Sequence, residues 1–267
     1  MSIPLFKKAY ERYWTVIEDE SVVPLCSMYS YTENELSNRN MSHGFLWEMM
    51  RREFTRELIN TLNSFAVQIN SLNVWQQVIN GYDETEQFYL KFEFTILPLY
   101  FCLHKPAEFR DRLIYCCTHL CHQATLFSLD DYPDRLVDEH RVKLGILMRF
   151  SKYWLTVDEL VGAIKKISSD DYLLLTNNFR NKNQHRVPPA LEYGHTGIVT
   201  RVQKDNGNVT YDFGFSDALT TEDMLPILFK QWQLMKEALD VYLTLIEEQN
   251  SIIYKVNDFT VHFGDGV

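Results

Sequence analysis

The chain is predicted to be mostly α-helical, a multi-helix bundle with one inserted antiparallel β-hairpin at about residues 196–215. Three observations predict this class. Only 10 Gly and 8 Pro punctuate 267 residues, which favours long helices over many short strands. Apolar side chains recur at steps of three and four through most of the chain, the period of one helix face. Period-two alternation is confined to Ile198, Thr200 and Val202 on one side of a turn and Val209, Tyr211, Phe213 and Phe215 on the other. Asp205-Asn206-Gly207-Asn208 between them supplies the turn chemistry. With 46% apolar and 14% aromatic residues the chain can bury a sizeable core.

Taken in order, Ile3 to Glu18 reads as a helix through Phe6, Tyr10, Tyr13, Trp14 and Ile17. Ser21 to Met41 is irregular. A long helix runs from about Ser42 to Ile79, its stripe Leu58, Leu62, Phe65, Ile69 and Leu72 facing other helices. Gly81-Tyr82-Asp83 breaks it. Glu84 to Leu103 follows, kinked at Pro98, and Pro106 restarts a helix to about Phe127. Ser128 to Pro133 is a turn. One helix is expected from Asp134 to about Ile167, with Ile146, Leu147, Phe150, Trp154, Val157, Leu160, Val161 and Ile164 on its apolar face. A short helix, capped by Ser168 or Ser169, covers Asp170 to about Phe179, and Pro188 ends helical geometry by Val187. The last helix runs from Thr221 to Tyr254, capped by Thr220 or Thr221. Residues 1–127 form an N-terminal helical region and 128–267 a C-terminal bundle with the hairpin, as two regions or one continuous body.

The net charge of −10 repels phosphate backbones at long range and argues against nonspecific duplex binding. Nucleic-acid contact must come from local basic islands. Two tracts hold no Asp or Glu: between Glu139 and Asp158, with Arg141, Lys143, Arg149 and Lys152, and between Asp171 and Glu192, with Arg180, Lys182 and Arg186. The five cysteines are odd in number, and Cys116, Cys117 and Cys121 lie in a helical pattern, which reads as reduced thiols and a cytoplasmic setting. Residues 1–14 show no signal-peptide core. The most apolar run, Ile96 to Leu103, is far short of the roughly 20 residues a bilayer span takes, so no membrane partner is expected.

The polar run Asn177-Asn178-Phe179-Arg180-Asn181-Lys182-Asn183-Gln184-His185-Arg186-Val187-Pro188-Pro189 holds the candidate site. Arg180, the polar Asn181 and His185 after four intervening residues resemble the signature of the HEPN superfamily. Arg112 to His119 and Arg135 to His140 share such a spacing, but Leu follows each Arg and both are read as helix-face background. The resemblance implies an all-helical bundle, a homodimer with a composite site, and metal-independent cleavage of RNA, or RNA binding, in defence or stress. It implies His185 as general acid/base, Arg180 as phosphate binder and Asn181 as auxiliary polar group. Lys182 and Arg186 would steer substrate. Val187 stands where a toxin branch of the family carries Tyr, two residues after the His, which argues against that branch. On a regular helix, positions five apart diverge by roughly 140°, so Arg180 and His185 converge only if the helix ends between them or a second chain contributes.

Two other readings stand beside this one. The first is a non-catalytic helical module that binds a protein partner. The second is a Mg²⁺-dependent nucleotide hydrolase using Asp134, Asp138 and Asp158, drawn from the acidic cluster Asp130, Asp131, Asp134, Asp138, Glu139 and Asp158-Glu159. His119 and His122 flank Cys121 near Cys117, but no second Cys pair exists to complete a zinc site, and buried thiols are expected. No metal and no cofactor is called for by the preferred reading.

Overall fold

The computed structural model describes residues 3–19, 23–31, 44–129, 131–204 and 206–256. The helices are α1 (Ile3–Glu18), α2 (Phe45–Ile79), α3 (Glu84–Phe94), α4 (Ile96–Ser128), α5 (Leu144–Leu147), α6 (Thr156–Lys166), α7 (Asp170–Leu175), α8 (Phe179–His185) and α9 (Thr221–Val256). Strands β1 (His195–Thr196), β2 (Val199–Gln203), β3 (Val209–Phe213) and β4 (Ser216–Asp217) lie between α8 and α9. β2 and β3 pair antiparallel with Val199 opposite Phe213 and Gln203 opposite Val209, and β1 pairs with β4 below them. The fold is thus mostly α with a hairpin. Part of the irregular 21–41 segment, the expected helix start near Ser42, Asp130 and Asp205 lie outside the described residues. Among the described residues no helix is long and apolar enough to cross a membrane.

Three helix boundaries differ from expectation. The break between α3 and α4 falls at Thr95, not at Pro98 or Pro106. The Thr95 N–H donates to Lys91 O (3.0 Å), its hydroxyl donates to the same carbonyl (2.9 Å), and its own carbonyl accepts from Leu99 N (2.9 Å) to open α4. Pro98 then sits in the first turn of α4, where its missing N–H has no helical acceptor to lose. Pro106 stays inside α4. Its neighbours Cys102, Leu103, Ala107 and Phe109 are buried, and packing overrides the loss of one backbone bond.

The single helix expected from Asp134 to Ile167 is broken into a 3₁₀ turn at Glu139–Arg141, α5, a second 3₁₀ turn at Met148–Phe150, and α6. Leu147, Phe150, Trp154, Val157, Leu160, Val161 and Ile164 are buried, and Ile146 is half-buried. Their period survived the breaks because a 3₁₀ turn also returns every third side chain to one side. The Glu248 carboxylate accepts from the N–H groups of Leu155 (2.7 Å) and Thr156 (3.0 Å), which fixes the start of α6 from more than ninety residues away. Arg135 lies in irregular chain and His140 in a 3₁₀ turn, not in a helix body. The third difference, at Thr176–Asn178, shapes the candidate site and is described with it.

The chain divides into two compact units. The first comprises Met1–Met28, Ser64–Pro106 and Ser168–Trp232, the second Tyr29–Asn63, Ala107–Ile167 and Gln233–Val267. Position 127/128 lies inside the second. In the first, Trp75 stacks on Phe94 with centroids 4.0 Å apart and on Tyr13 at 4.5 Å, over a core of Ala9, Val78, Ile79 and Leu90. In the second, Trp47 Nε1 donates to Gln249 Oε1 (3.0 Å) and Trp154 Nε1 to Thr125 Oγ1 (3.0 Å), so each buried indole is satisfied. All five cysteines are buried free thiols. Burial pushes the Cys116 thiol up to about 12.

Candidate functional site

All the residues singled out in 177–189 belong to the first unit. α7 ends where Thr176 Oγ1 donates to Tyr172 O (2.8 Å) and Asn177 and Asn178 turn left-handed, with φ of 49° and 53°. Asn adopts this region more readily than other side-chain-bearing residues, so the Asn-Asn pair is the local signal for the break. The Asn178 carbonyl then accepts from Lys182 N (3.0 Å) and α8 begins. The helix expected to end near Phe179 therefore ends earlier, and the polar motif forms a second short helix.

Phe179 is the anchor of α8. It is buried, with its ring edge-on to Tyr100 (5.7 Å) and His104 (5.5 Å) of α4. One turn on, Asn183 Nδ2 donates to Tyr100 OH (2.7 Å) and lies 3.3 Å from His104 Nε2. This pins the 179/183 face against α4. α8 ends at His185, with Arg186 extended ahead of Val187-Pro188, as the proline predicts.

The two motif residues, Arg180 and His185, thus both lie within one short helix. At about 100° per residue they leave its axis roughly 140° apart and straddle the face opposite the anchor, with Asn181 and Gln184 between them. The option of a helix end between them is removed; a second chain is the remaining way to bring both to one phosphate. Asn181 Nδ2 donates to Asn178 Oδ1 (2.7 Å), so its amide is turned toward the helix start. His185 is exposed.

Lys182 lies on another side of α8, and Arg186 lies just past its end. Lys182 Nζ donates to Asn177 Oδ1, and both cations line a cleft of about 590 Å³ whose other wall is the hairpin. Arg201 and Phe213 face the same cleft, and Asp212 is the only acid among its lining residues. Arg180, Asn181 and His185 are not part of that lining.

Sequence reasoning missed Glu192. It follows Pro188-Pro189 as a lone acid among apolar neighbours, with φ of 62° and a fully buried carboxylate. Oε1 accepts from Thr221 N (3.0 Å) and Thr221 Oγ1, and shares the Thr95 hydroxyl proton (3.1 Å) with the Lys91 carbonyl. Oε2 makes no hydrogen bond among the described residues and is compensated by the Lys91 ammonium 3.2 Å away. The carboxylate therefore ties α3 and the α3–α4 junction to the positive N-terminus of α9. The predicted cap of α9 is present as well: Thr220 Oγ1 accepts from Asp223 N (3.2 Å) and donates to Asp223 Oδ2 (2.7 Å).

The acidic alternative finds no geometry to support it. Among the described residues no three His, Cys, Asp or Glu side chains come together to hold a metal ion. Asp134 instead meets the buried His122, Oδ1 to Nε2 at 2.8 Å. Cys121 Sγ accepts from Gln249 Nε2 (3.3 Å), the role of a core thiol. No family model, no curated protein and no solved structure matches the chain, so its own residues carry the functional argument.

Proposed function

We propose that the protein is a cytoplasmic, HEPN-like RNA-binding protein whose metal-independent endoribonuclease activity is completed by a second copy of the chain, in defence or stress. One observation carries the reading: α8 holds Arg180, Asn181, Gln184 and His185 on the side away from its anchor, Arg180 half-buried and the other three exposed, in a tract with no Asp or Glu between Asp171 and Glu192. Two such faces opposed in a homodimer bring Arg180 of one copy toward His185 of the other.

In that arrangement the ribose 2′-oxygen bonds to phosphorus and the bond to the 5′-oxygen breaks. An imidazole takes the 2′-OH proton and returns a proton to the leaving 5′-oxygen. The guanidinium holds the phosphate oxygens as charge grows on them. The products are a 2′,3′-cyclic phosphate and a 5′-hydroxyl. Incubation of RNA with the full chain in EDTA tests this. Cleavage is expected, and Arg180→Ala and His185→Ala are each expected to lower it by about 10²-fold or more. Activity that survives both substitutions, or that needs metal, overturns the catalytic reading. A non-catalytic binding module is the second reading, favoured by the divergence of Arg180 and His185 within one chain. It predicts no cleavage by the wild type.

A further inference from the structure

The apolar side of the hairpin faces solvent. The β2–β3 register puts Val199, Phe213, Arg201 and Tyr211 on one face as two cross-strand pairs, Val199 with Phe213 and Arg201 with Tyr211. Tyr211 is 60% exposed and Phe213 82% exposed. A hairpin that merely covered a core would bury this face. Clustered exposed aromatic rings of this kind mark a binding surface.

What they bind is narrowed by charge. The cleft between this hairpin and α8 is lined by Lys182, Arg186 and Arg201 against the single carboxylate of Asp212, in a chain whose net charge is −10. A local concentration of cations beside exposed rings suits a polyanion that also offers flat π-faces. An unpaired nucleic-acid strand has both. In a duplex the base faces are already stacked on one another and are not offered.

We propose that this surface is the path of a single-stranded RNA, with bases stacked on Tyr211 and Phe213 and phosphates held by Lys182, Arg186 and Arg201. The proposal rests on the RNA-binding reading above but not on catalysis, since none of these residues belongs to the Arg180–His185 pair. It assigns the hairpin as the element that selects unpaired strands.

Binding of a fluorescein-labelled twelve-nucleotide 2′-O-methyl oligouridine, which has no 2′-OH to attack and is not cleaved, to the full chain in EDTA, followed by anisotropy across a salt series, tests it. The free strand is expected to bind at least about tenfold tighter than the same strand annealed to oligoadenosine. Tyr211→Ala/Phe213→Ala is expected to lose about tenfold or more with the salt slope unchanged. Lys182→Gln/Arg186→Gln/Arg201→Gln is expected to reduce the slope of log K against log salt by about 2, at roughly 0.7 per phosphate on a single strand. All the substituted side chains but the half-buried Lys182 are exposed, and an unchanged helical circular dichroism spectrum checks that each variant is folded. Equal affinity for the duplex, or wild-type affinity in the aromatic variant, overturns the proposal. So does a switch from dimer to monomer in the aromatic variant during sedimentation, which would make the face a self-association surface. Strand binding without cleavage leaves the path standing and removes only the catalytic reading.

Discussion

Glu192 and His185 lie seven residues apart and in opposite circumstances. The carboxylate is fully buried, bonded to three donors through Oε1 and paired with Lys91. The imidazole is exposed, on the helix face turned away from its anchor. Both break the local pattern of their segment, one as a lone acid and one as a lone imidazole. A buried carboxylate with partners on three elements holds α3, α4 and α9 together. An exposed one, in a tract cleared of acids, remains free to meet a ligand. Burial and partners, not residue type, separate a structural polar group from a chemical one.

The largest expected effect comes from breaking the buried member. Glu192→Ala leaves the Lys91 ammonium, the Thr221 hydroxyl and the Thr221 N–H without their carboxylate, and the Thr95 hydroxyl with the Lys91 carbonyl alone. A loss of about 3–5 kcal/mol in urea unfolding is expected. Glu192→Gln keeps one acceptor oxygen and should lose less. A loss below about 1 kcal/mol for the alanine variant would show that the carboxylate is not the tie described.

Acid sharpens the comparison in the second unit. Glu48 is buried, which by itself raises its carboxyl, but the hydrogen bonds from Arg51 and Arg52 outweigh burial and hold it below the usual carboxylate range. A depressed folded pKa means that the unfolded state binds the proton first as pH falls. The stabilisation is therefore complete above the ordinary carboxylate value and is lost as pH drops through the lowered one. Melting temperatures measured from pH 7 down to about pH 3 should fall less steeply in Glu48→Gln than in the wild type. Parallel acid limbs would refute the assignment.

A smaller effect is expected at the turn that creates α8. Asn178 is left-handed and accepts from the Asn181 amide. Asn178→Ala should cost about 1–2 kcal/mol, because a Cβ without a compensating side-chain oxygen is strained there, while Asn178→Gly should be close to neutral. If alanine is as stable as glycine by thermal melting, backbone conformation is not what sets the start of α8.

The long helices were legible because their apolar stripes are periodic and local: Leu58, Leu62, Phe65, Ile69 and Leu72 are all buried as the spacing requires. The hairpin was legible from its alternation and its Asn-Gly turn. What was not legible depends on partners remote in sequence. The start of α6 rests on Glu248, and Glu192 reaches Thr95 across 97 residues. Prolines misled in the other direction, because Pro98 falls where no backbone donor is needed and Pro106 is held by its packed neighbours. At the candidate site the composition was readable and the geometry was not. Acid-free polarity located α8, and the Asn177-Asn178 pair was a local signal for a break, but the spacing alone did not place that break before Arg180 and so put Arg180 and His185 on one continuous helix.

The smallest expected effect on stability is the one that bears most on function. His185 ends α8 on the exposed side, and its N–H donors are not what holds the helix: Phe179 and Asn183 do that against Tyr100 and His104. Surface substitutions away from caps and cores move stability by less than about 0.5 kcal/mol. His185→Ala should therefore unfold at the wild-type urea concentration, in contrast to Glu192→Ala. Gln184→Ala, one position earlier on the same outward face, should behave likewise and serves as the control for merely truncating a polar side chain. If His185→Ala costs as much as a lost cap, the imidazole is holding the C-terminal turn of α8, and any loss of RNA cleavage in that variant would reflect structure and not proton transfer. If stability is retained while cleavage in EDTA disappears, and Gln184→Ala cleaves normally, the exposed member of the pair is chemical in the same sense that Glu192 is structural.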